Sequence, residues 1–561
     1  MKIVIAAVGL SLCVPLAARA ADQRSNTQGW CGTSTTMARD SVWSHQEWRS
    51  RRSVFAQSAA ASSFDVGQIA VLMDNGDLAR LKNTMDLQRT ALRFRPAGGG
   101  YALERLALPL EPDTGAALTL DDDDSRPVAL GFAFPFFGGS YTDAFVNSDG
   151  NVTFGAGDSA STSRTMGRLV NGPPRVAPLL ADLDPQRGTV SVLTQQDHAT
   201  VTWRSVPQFE KSDRSTFQVT LWADGRVDFV YDAALSTTIE EAVVGIAPGG
   251  GRDGLTAVDL SSANGVTGVT GALAESFRSE DDLDLLAVAR RFYETHGDDY
   301  QQLVVYTSRT LVSGGVVAFE TLVKNSDRGI GEDDTDLTRE YGSAGRLESF
   351  VMMDALSKYP TNLLQPFVGE DSALAVLAHE VGHRWLANAL FRDGNVLSSD
   401  LLGRDEVHWS FFMDTDGSFL EGNDIEAQAD GRFRTVGSGL RYSALDQYLM
   451  GMRDASEVPP FFVVRNPTGT SSTRARAPRT GIVFDGVKKD VAIGDIVSAL
   501  RPRSPAGAPW TRPFRQAFVY VATGAAPDAA TLARLESIRA AWPAFFEQGT
   551  GGRGTVDARL N

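Results

Sequence analysis

His379-Glu380-Val381-Gly382-His383 is the stretch of this sequence whose residue types and spacing can do chemistry. Histidines four apart on a helix leave the same face one turn apart, so both imidazoles can reach one tetrahedral cation. Glu380, one position after the first histidine, is set to reach a water beside that cation rather than the cation itself, which suits a general base. A catalytic zinc takes three protein ligands and keeps one position open, so a third donor must come from elsewhere in the chain. Downstream of the pair His408 is the sole imidazole, in Asp405-Glu406-Val407-His408-Trp409, while His45, His198 and His296 lie far upstream. Glu406, Glu421 and Asp424 are carboxylates able to take its place. The expectation is one catalytic Zn²⁺ held by His379, His383 and His408, with Glu380 as base.

These residues need a rigid element beneath them. Ser372 to Leu390 lacks Gly and Pro apart from Gly382, and Leu374, Leu377 and Val381 supply an apolar face, so the spacing predicts a helix there. The five-residue motif on such a helix resembles the active-site helix of zincin metallopeptidases. The compact metzincin continuation is absent, because Leu386 and Ala389 stand where its Gly and third His belong. Leishmanolysin-like enzymes also separate the third His by an insertion and keep a methionine turn under the metal, and Tyr448-Leu449-Met450-Gly451-Met452 is similar to that turn, with Met450 as its sulfur. The zincin resemblance implies a protein or peptide substrate. It also implies an oxyanion donor, for which Tyr442 and Tyr448 are candidates beside the plainer reading of both as core residues. An extended substrate would pair with an exposed strand edge, for which 316 to 320 is the candidate. A gluzincin-like site, with Glu406, Glu421 or Asp424 as third ligand, is the alternative.

Composition bounds the rest. The chain has 561 residues, is 42% hydrophobic and carries a formal charge of −16, which excludes a disordered or coiled-coil protein and gives no electrostatic reason to bind nucleic acid. Lys2, the apolar run Ile3 to Leu16 and Ala18-Arg19-Ala20 read as a signal peptide over 1–20, and no later segment is apolar for long enough to cross a membrane. A secreted or periplasmic product is expected. Of two cysteines, Cys13 falls in the signal and Cys31 is left as a lone thiol, so no disulfide framework can form. Cys31, in Trp30-Cys31-Gly32, is a candidate latency switch that could fill the open zinc position, set against a leftover cysteine.

Residues 21–112 read as an N-terminal segment and candidate propeptide ending at Leu110-Glu111-Pro112-Asp113, with short strand-like pieces at 66–72 and 91–94. From 115 to 272 the period is two, and Phe217–Leu221, Asp224-Gly225 and Val227–Tyr231 form a hairpin pattern. Leu130–Gly138 followed by Val146–Gly155, with Ala177–Asp184, Val201–Trp203 and Val243–Pro248, resembles the extracellular NIDO domain of nidogen-like proteins. Such domains are mostly adhesive, which implies contact with an extracellular surface or matrix. The Asp121 to Asp124 run reads as a solvated loop. Asp414-Thr415-Asp416-Gly417-Ser418 is similar to part of a calcium loop without the full twelve-residue spacing, so a polar turn is expected and Ca²⁺ is a secondary candidate cofactor.

The expected fold class is therefore multidomain: an all-β NIDO-like sandwich, then an α+β zincin domain over 278–548 and a tail at 549–561. Within it, Leu283 to Tyr293 reads as a helix, 303–306 and 316–319 as buried strands, 345–356 as a helix, and 527–543 as a helix that stops at Pro543. The expected function is a zinc endopeptidase, with two rivals. One is an adhesion protein whose zinc domain is degenerate, although a structural zinc needs four ligands and few are at hand. The other is a zinc hydrolase of a non-protein polymer such as cell-wall amide.

Overall fold

The computed structural model of the chain describes residues 37–52, 63–160, 164–263, 265–312, 316–438 and 440–561. The expected signal peptide, Cys13 and Cys31 lie outside them. Strand dominates and helices are few. Alternating apolar residues build the first region. Arg214–Trp222 pairs with Val227–Tyr231, Phe217 opposite Tyr231 and Leu221 opposite Val227, around a turn in which Gly225 has φ +89°. Glycine adopts that φ freely, and a Cβ here would lie 2.9 Å from Pro96 Cγ. An eight-stranded and a seven-stranded sheet result. Phe94, Leu103, Phe217 and Phe229 of the first meet Phe134, Val146, Val176 and Ile246 of the second in one apolar core, as in a β-sandwich.

This sandwich begins earlier than the sequence pattern suggests. Ala91–Ala97 and Gly100–Leu106 lie within the eight-stranded sheet, Ala91–Ala97 paired between Val227–Tyr231 and Gly100–Leu106. A boundary at 112–115 therefore cuts through one sheet: the Pro- and Asp-rich stretch that resembles a linker joins strands of the same layer, and Glu111 N donates to Gln218 Oε1 at 2.7 Å.

The second region rests on a seven-stranded mixed sheet. Its order is Ser63–Val66, Ile69–Asp74, Phe514–Thr523, Gln302–Thr307, Ser349–Ala355 and Phe319–Leu322, with Val556–Asp557 beside Phe514–Thr523. The four central strands are parallel. Parallel strands covered on both faces read as continuous apolar runs. Val304, Tyr306, Val351 and Phe518 enter the core that holds the Ala373–Gly382 helix, and Leu303, Val305, Phe350 and Val519 enter the core that holds the Leu285–Tyr293 helix. Phe319–Leu322, antiparallel to Ser349–Ala355, forms one edge.

Several expectations are corrected here. Ile69–Asp74 is paired on both sides, with Ser63–Val66 and Phe514–Thr523, so it belongs to this sheet and not to a detachable N-terminal unit. The tail is likewise integrated, since Val556–Asp557 is a strand and Leu560 N donates to Gln68 Oε1 at 2.8 Å. The stretch expected as a helix at 345–356 is the strand Ser349–Ala355, buried along its whole length, and burial on both faces overrides helical spacing. The C-terminal helix, Ala529–Gly549, runs through Pro543. Trp542 and Phe546, each 0% exposed, pin it on both sides of that proline, so packing outweighs the missing N–H.

A helix at Met37–Arg52 joins the two regions. The Glu47 carboxylate accepts from Ser276 N at 2.9 Å and Ser276 Oγ at 2.5 Å, on a sandwich strand. His45 Nδ1 lies 2.7 Å from Asp284 Oδ2, at the cap of the Leu285–Tyr293 helix. No described helix is long and apolar enough to cross a membrane.

Candidate metal centre

The motif helix spans Ala373–Gly382, shorter than the stretch to Leu390 expected from composition. Ser372 caps it by accepting from Ala375 N at 3.3 Å. Every residue of the helix is buried, which explains its strongly apolar sequence. Gly382 is required by packing: a Cβ there would stand 2.7 Å from Leu420 Cδ2 and 3.1 Å from Tyr442 Cε1.

His379, His383 and His408 meet at one point. The Nε2 atoms of His379 and His383 are 3.0 Å apart, and those of His379 and His408 are 3.2 Å apart. Each ring is oriented from behind by a backbone carbonyl: His379 Nδ1 by Phe419 O at 2.7 Å, His383 Nδ1 by Leu386 O at 3.1 Å and His408 Nδ1 by Arg404 O at 2.8 Å. A carbonyl only accepts, so all three Nδ1 atoms carry the proton and all three Nε2 lone pairs converge. Two lone pairs make no hydrogen bond, and the short Nε2 separations therefore describe a ligand set. Tetrahedral zinc with Zn–N near 2.05 Å places its nitrogens about 3.3 Å apart, close to the spacing seen.

Electrostatics keep the set neutral. Burial lowers the pKa of His379 to about 4. Burial first, then the neighbouring imidazoles and the Arg404 cation, holds His383 and His408 well below the usual range. Neutral imidazole is the form that binds a metal. Glu380, 1% exposed, follows His379 on the same helix.

None of the alternative third ligands joins the three imidazoles. Glu406 is exposed and pairs with Arg474 at 3.3 Å. Glu421 is paired with Arg404 at 2.5 Å. Asp424 groups with Asp414 and Asp416, their carboxylate oxygens within 4.8 Å of one another, in the turn that resembles a calcium loop. Burial raises Asp414 to about 6. Both tyrosines proposed for the oxyanion have structural partners: Tyr442 OH donates to Ala378 O at 2.7 Å, and Tyr448 OH accepts from Arg503 N at 3.0 Å. Met450, 1% exposed, follows the Ala444–Leu449 helix and sits in the same core as the motif helix.

Three supports escaped sequence reading. Asp446, 0% exposed, accepts from Trp409 Nε1 at 2.8 Å, Ser418 Oγ at 2.6 Å and Ser443 N at 2.7 Å. It thereby ties the loop carrying His408 and Phe419 to the Ala444–Leu449 helix. Arg384, next to His383, donates to Glu348 Oε2 at 3.0 Å and Asn325 Oδ1 at 3.3 Å. Arg404 contacts His408 itself, its Nη2 2.9 Å from Nε2. The Ser443-x-x-Asp446 spacing of a capping box was a legible sign for Asp446. The two arginines carry no local signature.

Residues 101–276 match the family described as NIDO related. The β-sandwich is thus a NIDO-related domain, and its sheets extend that match on the N-terminal side to Ala91. No curated protein and no solved structure matches the chain.

Proposed function

We propose that this chain is an exported zinc-dependent endopeptidase. The observation that carries the reading is the convergence of three carbonyl-oriented imidazoles beside a glutamate on the same buried helix. His379, His383 and His408 would hold the zinc ion, which when bound would supply a Lewis acid able to activate water near neutral pH and to polarise a carbonyl. Glu380 takes the proton from the attacking water and delivers it to the leaving amine, so one carboxylate acts first as base and then as acid. The edge strand falls at Phe319–Leu322 rather than at 316–320 and is buried along its whole length, so it offers no exposed edge to an extended peptide. Export is supported by the residue pattern of 1–20, and the NIDO-related domain supports contact with an extracellular surface or matrix.

The test is hydrolysis of denatured casein by full-length protein, before and after chelation and after adding zinc back, with metal analysis of the same samples. Chelator-sensitive cleavage with one zinc per chain is the expected result. Zinc without cleavage of any peptide, together with cleavage of cell-wall amide, would move the reading to a polymer hydrolase.

A further inference from the structure

Tyr442 has its hydroxyl proton committed to Ala378 O, so the oxygen that becomes negative as a peptide bond is hydrolysed calls for a donor from another residue. Arg404 is close enough. It opens the short turn Arg404–Glu406 and holds His408 at both ends, its carbonyl accepting from Nδ1 at 2.8 Å and its Nη2 lying 2.9 Å from Nε2. The guanidinium is itself clamped: Glu421 Oε1 accepts from Nη2 at 2.5 Å and from Nε at 3.1 Å, and Asp405 Oδ2 lies 3.3 Å from Nη1. Glu421 has a side chain only 3% exposed and that of Arg404 is 14% exposed, so neither swings freely into water. Arginine stays protonated at any working pH. A fixed cation this near a cation-binding point is unfavourable while the site is idle and becomes favourable when negative charge develops beside it.

We infer that Arg404 is a catalytic residue, its Nη2–H donating to the scissile carbonyl oxygen as that oxygen becomes an oxyanion. The inference rests on the peptidase reading. A cation on the His408 Nε2 lone pair would displace that Nη2–H, so the guanidinium has to turn away from Nε2 about its Glu421 contacts, which keep it beside the metal position. The step balances without any change at Arg404: a C–O bond forms from water, the C–N bond breaks, Glu380 carries the water proton to the leaving nitrogen, and the charge on the carbonyl oxygen rises and collapses.

The experiment compares wild-type, Arg404→Met and Arg404→Lys full-length proteins. It reads zinc per chain, kcat and KM on a peptide, and the Kd of a phosphonate-containing peptide whose tetrahedral anion imitates the oxyanion. Arg404→Met is expected to keep its zinc, to lose about 10²- to 10³-fold in kcat with KM changed by less than about threefold, and to bind the phosphonate more weakly by a similar factor. Arg404→Lys, which keeps the charge without the fork, should recover part of both losses. Loss of zinc in step with activity in both variants would overturn the inference and make Arg404 a positioning residue for His408. A raised KM at unchanged kcat would overturn it in favour of binding a substrate carboxylate, and unchanged kinetics would overturn it outright. Wild-type protein that binds zinc yet cleaves no peptide would remove the peptidase reading and this inference together, a result seen in the parent and so distinct from failure of Arg404 alone.

Discussion

The NIDO-related sandwich and the histidine-bearing region both bury polar side chains, and they arrange them in different ways. In the sandwich, Arg175, with a side chain 1% exposed, is matched to Asp158 at 2.5 Å and to Asn151 Oδ1 at 2.8 Å. Arg168 bridges Asp158 at 3.0 Å and Asp149 at 2.9 Å, and Arg164 meets Asp149 at 2.9 Å. Cation faces anion, and the Arg partners pull the Asp158 carboxyl well below its ordinary range against the cost of burial. In the other region three imidazole lone pairs face one another, and their hydrogen-bonding protons point outward to carbonyls. Buried cations set against anions mark a structural network, whereas imidazole lone pairs turned toward one another mark a point able to hold a cation.

The comparison breaks most sharply at His408. Replacing it with Ala should remove zinc and activity together, while Glu406→Gln or Asp424→Asn should leave the metal in place; metal analysis decides it, and full zinc without His408 would move the third ligand to a carboxylate. Glu380→Gln comes next, with zinc retained and the rate lowered by about 10²- to 10⁴-fold, because it removes a base and not a ligand. Full activity in that variant would end the mechanism.

Stability gives the mirror-image pair. Arg175→Ala should destabilise the sandwich by about 3 kcal/mol, since it breaks a buried ion pair and leaves Asp158 with Arg168, with zinc stoichiometry unaffected in whatever protein stays folded. Asp446→Ala removes three buried hydrogen bonds at an expected cost of about 3 kcal/mol and should weaken zinc binding as well, because it frees the loop that carries His408. Denaturation followed beside metal content separates the two variants, and equal zinc affinity in Asp446→Ala and the parent would contradict the support assigned to Asp446.

The smallest expected effect is that of pH. The His379 pKa of about 4 lies below its ordinary 6.5, so the unfolded chain binds more protons than the folded one between those values. Metal-free protein should therefore lose stability as pH falls through that window. Zinc should be retained at pH values where exposed histidines already release it, since protons compete for the folded imidazole only near its lowered pKa. A pH titration of zinc content that shows loss centred on the ordinary histidine pKa would count against the buried, neutral set.

The sequence by itself determined the spacing of the motif, the buried helix that carries it, and the sandwich hairpin, because each depends on residues a few positions apart whose period or spacing is dictated by backbone geometry. Helix length was less legible: the chain turns after Gly382, where His383 Nδ1 meets Leu386 O, and composition carries no sign of that turn. Tertiary structure alone decided that His408, and not Glu406, Glu421 or Asp424, stands with His379 and His383, since a contact across 25 residues depends on how the intervening loop is pinned by Asp446. It also decided that Ile69–Asp74 lies beside Phe514–Thr523. An apolar strand shows in sequence that it is buried, but the identity of its neighbours is set by the packing of the whole sheet, and no local pattern of residues encodes a partner more than four hundred positions away.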